Sequence, residues 1–65
     1  MIEGYLRQKA NGRYAINGAE FTSGDVVKVR IGQQWLVMRF EYDNEYYLLG
    51  EGMSFYPKKV YARCE

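Results

Sequence analysis

Nine basic and eight acidic side chains among 65 residues leave a net charge of +1, which selects no polyanion, membrane surface or acidic substrate by bulk charge. The single cysteine, Cys64, excludes an internal disulfide, and with no histidine in the chain a zinc site is excluded as well. At 48% hydrophobic and 17% aromatic the chain is too apolar for disorder, and a domain this small must be stabilised by dense packing or by a second copy.

Residues 1–65 read as one domain. No apolar run reaches the ~18 residues of a membrane span, and "MIEGYLRQK" lacks the apolar core of a signal peptide. The expectation is a cytoplasmic protein that engages no membrane.

Period-two alternation recurs along the chain, and no segment sustains a helical period for three turns. Ile2 to Gln8 forms the first expected strand. In "RYAINGAEFT", Asn17-Gly18 predicts a type I′ hairpin that sets Tyr14 opposite Phe21 and Ile16 opposite Ala19. "TSGD" interrupts the pattern before a strand from Val26 to Ile31. A two-residue turn at Gly32-Gln33, with glycine in the first place of a type II′ turn, pairs Arg30 with Trp35, Val29 with Leu36 and Val27 with Met38. A second two-residue turn at Asp43-Asn44 pairs Tyr42 with Glu45, Phe40 with Tyr47 and Met38 with Leu49. Gly50 to Lys59, with two glycines and the only proline, reads as an irregular mobile rim. The last strand is Val60 to Cys64, in which Val60, Ala62 and Cys64 alternate with Tyr61 and Arg63.

These registers predict a meander whose inward side is Val27, Val29, Ile31, Leu36, Met38, Phe40, Tyr42, Tyr47 and Leu49, apolar throughout. Its other side carries Val26, Lys28, Arg30, Trp35, Val37, Arg39, Glu41, Tyr46 and Leu48. Five or six short strands of this length curl into a small, partly open antiparallel barrel. The stretch from Asn11 to Gly50, through Gly12-Arg13-Tyr14, Ser23-Gly24-Asp25, Trp35, Arg39, Glu41-Tyr42-Asp43 and Tyr47-Leu48, resembles a family of small bacterial SH3-like domains often encoded near mobile elements. That resemblance implies an SH3-like barrel and carries over no catalytic residue.

Catalytic constellations are few. Without histidine there is no Ser-His or Cys-His pair, and Cys64 reads as a small core residue. Glu41, Asp43, Glu45 and Glu51 gather at one hairpin as solvated turn residues. Gly50-Glu51-Gly52 lacks the third glycine and the helix of a dinucleotide loop. One enzymatic reading comes from "GMSFYP", followed by "KKVYAR", and from "SGDVVKV". These segments are similar to plasmid-borne type II dihydrofolate reductases, which are SH3-like barrels active as homotetramers around a shared pore. The similarity implies NADPH as cofactor and sets Met53, Ser54, Phe55 and Tyr56 at active-site positions. Ser54 stands where those enzymes have glutamine, and it lacks that amide's reach and its paired donor and acceptor.

The basic and aromatic side of the meander is the principal candidate site. Lys28, Arg30, Trp35, Arg39 and Tyr46 are expected to form it, with Arg30 in cation–π contact with Trp35 and with Lys58, Lys59 and Arg63 extending the basic surface. Such a surface suits a protein partner first, because Trp, Tyr and Arg are the common interface anchors, and single-stranded nucleic acid second. A second copy of the chain, an extended peptide, or a host defence protein held by a mobile-element inhibitor would use the same kind of surface.

Overall fold

The computed structural model describes Met1–Glu65. Its nine strands are β1 (Ile2–Tyr5), β2 (Arg7–Gln8), β3 (Tyr14–Ile16), β4 (Ala19–Glu20), β5 (Val26–Ile31), β6 (Gln34–Asp43), β7 (Glu45–Gly50), β8 (Met53–Phe55) and β9 (Tyr61–Cys64). Six form one antiparallel sheet in the order β1-β9-β5-β6-β7-β8, and the short β2, β3 and β4 form a second. The small sheet covers the inner face of the large one, while β1 and β8 remain as edges. The result is a partly open all-β barrel. No helix is long and apolar enough to cross a membrane.

The strand expected over residues 2–8 is broken at Leu6. That side chain is buried, and its backbone N–H donates to the Val60 carbonyl at 2.8 Å. Here the chain changes sheets: Ile2–Tyr5 pairs with β9, whereas Arg7 and Gln8 pair with Ala15 and Tyr14 of β3. Asn17 and Gly18 take φ of 48° and 91°, the two positive values a type I′ turn requires, and Ile16 faces Ala19 as the sequence predicts. "TSGD" is a turn fastened to the middle of β6. The Thr22 N–H donates to Asp25 Oδ2 at 2.8 Å, the Gly24 N–H to the Phe40 carbonyl, and the Phe40 N–H to the Asp25 carbonyl.

The β5–β6 hairpin has the expected register, from Ile31 opposite Gln34 to Val27 opposite Met38, with Gly32 at φ 62°. The β6–β7 hairpin does not. Asp43 faces Glu45 across Asn44, so Tyr42 pairs with Tyr46, Phe40 with Leu48 and Arg39 with Leu49. Only Asn44 has positive φ there, whereas a two-residue type I′ turn needs two such residues. The one-residue shift reverses the faces of β7. Tyr46 and Leu48 turn inward, and Tyr47 and Leu49 turn outward.

Phe40 is the centre of the core. It is fully buried with Ile16, Met38, Leu48, Val27 and Val29, and its ring stacks on Phe21 with centroids 5.3 Å apart. Ile31 and Tyr42, expected inside, lie at hairpin ends beyond the reach of the small sheet and are exposed. Residues 50–59 form a hairpin and a tight connection in place of the expected rim loop. β8 pairs with β7, setting Phe55 opposite Leu48, and Pro57 is buried at the turn where the Lys58 N–H donates to the Tyr56 carbonyl. Gly50 packs closely on β6: a Cβ there would lie 3.0 Å from the Met38 methyl carbon, and the end of that side chain would have to shift to admit it.

Candidate recognition face

The outer face of the large sheet is uncovered, and its registers arrange the side chains in rows. Glu3, Arg63, Lys28 and Val37 are cross-strand neighbours on β1, β9, β5 and β6. The adjacent row pairs Tyr5 with Tyr61 and Arg30 with Trp35, and continuing the β5–β9 register by one residue sets Tyr61 beside Arg30. Alternate residues along a strand lie about 6.6 Å apart, so the two rows form one continuous patch. A third row runs through Val26, Arg39, Leu49 and Ser54.

Trp35 leans across β5 toward β9. Its ring lies 6.2 Å from that of Tyr61, and the Arg63 guanidinium carbon sits 4.0 Å above its centroid. The expected cation–π contact therefore exists with a different arginine. Arg30 faces Trp35 in register, but its Nε donates back to the Gly32 carbonyl at 3.3 Å. Arg63 Nε is shielded from solvent with no hydrogen-bond partner, so the stacking contact holds this side chain in place. Trp35 is consequently half-buried. Acrylamide quenching of this lone tryptophan should be intermediate, and Arg63→Ala should raise the quenching constant by uncovering one ring face. An unchanged constant would mean that Arg63 does not cover the ring in solution.

At one end of the patch Tyr5, Arg30, Gly32, Lys59 and Tyr61 surround an open recess of about 500 Å³. Tyr5 and Tyr61 meet edge to face with centroids 5.0 Å apart. The Tyr61 hydroxyl donates to Glu3 Oε2 at 2.7 Å, and this bond to a carboxylate raises the phenol pKa. Lys59 reaches the recess because its own φ of 60° turns the chain sharply before β9.

The structure thus gathers Lys28, Arg30, Trp35, Lys59 and Arg63 from the expected set and adds Tyr5 and Tyr61. Two expected members drop out. Arg39 shares the face but is paired with the Glu41 carboxylate, so its charge is neutralised. Tyr46 lies on the opposite side of the sheet, where its hydroxyl meets Thr22 Oγ1 at 3.4 Å and its ring packs on Tyr42. The Thr22 hydrogen bond, then that from Arg13, lowers the Tyr46 pKa. Lys58 is exposed on the connection before β9. Of the positions implied by the reductase resemblance, Ser54 and Tyr56 are exposed and Phe55 packs against the core from β8, and the three line one shallow recess with Asp43 and Tyr47. The alternation of Tyr61 and Arg63 was readable in the sequence. Their assembly with Tyr5 depends on the β1–β9 pairing of the two ends of the chain.

No curated protein and no solved structure matches the chain. One family model does, over residues 4–62, from Gly4 in β1 to Ala62 in β9. The match takes in both sheets and nearly every member of the patch, and by it the chain belongs to the family described as Domain of unknown function (DUF5348).

Proposed function

We propose that the protein is a non-enzymatic recognition module that holds a partner on the outer face of its large sheet. The observation that supports this is a set of cations without counter-ions. The ion pairs are Lys9–Glu20, Arg13–Glu20 and Arg39–Glu41, so Lys28, Arg30, Lys59 and Arg63 keep their full charge around Trp35, Tyr5 and Tyr61. Arginine, tryptophan and tyrosine are the residues that most often carry binding energy at interfaces, and here they share one uncovered surface. Stoichiometric capture of a partner in the bacterial cytoplasm, including inhibition of a host defence protein, would use the face in this way.

The test is retention from a bacterial lysate by immobilised wild-type protein and by the Arg30→Glu/Trp35→Ala double variant, with bound protein and bound nucleic acid both quantified. The reading predicts a retained species that the double variant loses by at least about tenfold, as expected for hot-spot residues. Equal retention by both proteins would overturn it.

A further inference from the structure

We infer that the occupant of this face is single-stranded nucleic acid, with one nucleotide seated among Tyr5, Tyr61, Arg30 and Lys59 and the strand continuing past Trp35 and Arg63 to Lys28. The inference rests on the recognition reading above and names its partner class.

Charge complementarity is the first argument. Arg30 and Lys28 alternate on β5, about 6.6 Å apart, with Lys59 beside one and Arg63 beside the other. No carboxylate lies in the row of Tyr5, Tyr61, Arg30 and Trp35. At the margin, Glu3 already accepts the Tyr61 hydroxyl. The acidic residues Asp43 and Glu45 lie at the far end of the ten-residue β6 from Trp35, about 27 Å away, so cations predominate at one end, where Glu3 and Glu65 are the nearby carboxylates, and carboxylates at the other. A polyanion is drawn to the first and repelled by the second, although the net charge is only +1.

Stacking is the second argument. Tyr5 is 55% exposed beside the recess, and the half-buried Arg63 places its guanidinium over the Trp35 ring. Unstacked bases pack on tyrosine rings and on guanidinium planes alike. The recess has room for a nucleotide and its walls supply both a ring and two cations. A duplex keeps its ring faces stacked inside, and this sheet face offers no helix to enter a groove. A protein ligand would look instead for an apolar anchor; the recess, with its two cations, is not one, and the apolar hollow on this face lies apart from it among Val26, Val37 and Lys28.

The experiment is fluorescence anisotropy of the full chain with a labelled oligothymidine of about 12 nucleotides, its ribo counterpart, and a duplex of the same length, starting at about 50 mM salt. Single strands should bind at least about tenfold more tightly than the duplex. Tyr5→Ala should weaken binding about 5- to 150-fold, the range found when a stacked ring is removed. Arg30→Ala and Lys59→Ala should each flatten the plot of log affinity against log salt by about 0.7. Lys9→Ala, ion-paired on the other sheet, should leave affinity unchanged. Lack of binding at about 100 μM protein, equal affinity for the duplex, or indifference to Tyr5→Ala and Arg30→Ala would each overturn the inference. Sedimentation showing a dimer that Trp35→Ala dissociates, without oligonucleotide binding, would assign the face to a second copy and overturn it as well. If oligonucleotides fail while lysate protein is retained and then lost in the Arg30→Glu/Trp35→Ala variant, only the nucleic-acid assignment falls. If both fail, the recognition reading falls with it.

Discussion

Phe40→Ala should leave a large part of the protein unfolded at room temperature. The side chain is fully buried between the sheets, stacked on Phe21 with planes 9° apart and with its ring centroid 6.3 Å from that of Tyr14. Truncating a buried phenylalanine costs about 3–5 kcal/mol, because lost transfer energy adds to the cavity left behind. A chain of this size has a total stability of about 3–10 kcal/mol, so the loss removes a large share of it. The backbone of the same residue also carries the bonds that fasten the "TSGD" turn to β6, so loosening this point frees the turn as well. Thermal and urea melts followed by circular dichroism would test this, and a melt superimposable on the wild type would show that Phe40 is not the centre of the core.

Leu48→Ala and Leu49→Ala form the second test, because the two neighbours report the register of β7. Leu48 is fully buried opposite Phe40, and its truncation should cost about 2–5 kcal/mol. Leu49 is half-buried on the outer face opposite Arg39, and the same change there should cost about 1 kcal/mol. The register with Tyr42 opposite Glu45 reverses this order. Urea midpoints for the pair therefore decide between the two pairings, and a larger loss at Leu49 would mean that β7 is shifted by one residue in solution.

Much of the fold was legible from local chemistry. Asn17-Gly18 and Gly32-Gln33 are turns whose backbone angles few other residue pairs adopt, and each fixes the pairing of its flanking strands within one hairpin. The inward set Val27, Val29, Met38 and Phe40 follows, because only one parity of β5 and β6 buries a continuous apolar stripe. The same logic fails in β7. Tyr46-Tyr47-Leu48-Leu49 presents a tyrosine and a leucine on each face whichever way the strand is turned, so its pattern contains no register. Asn44 alone in the left-handed region set the register, with Leu48 opposite Phe40 buried in the core.

For the candidate site, local sequence determined which side chains stand on the outer side of β5 and β6: Lys28, Arg30 and Trp35 alternate with core residues, and period two places them there whatever the rest of the chain does. Tertiary structure alone decided what surrounds them. The chain ends meet in the β1–β9 pair, which docks along β5 and brings Tyr5, Tyr61 and Arg63 beside residues some thirty positions away. Arg63 then covers the ring that the β5–β6 register had opposite Arg30. Pairings between strands distant in sequence are held by core burial under Ala62 and Val29, with no turn to announce them, and so they become visible only when the sheet is assembled.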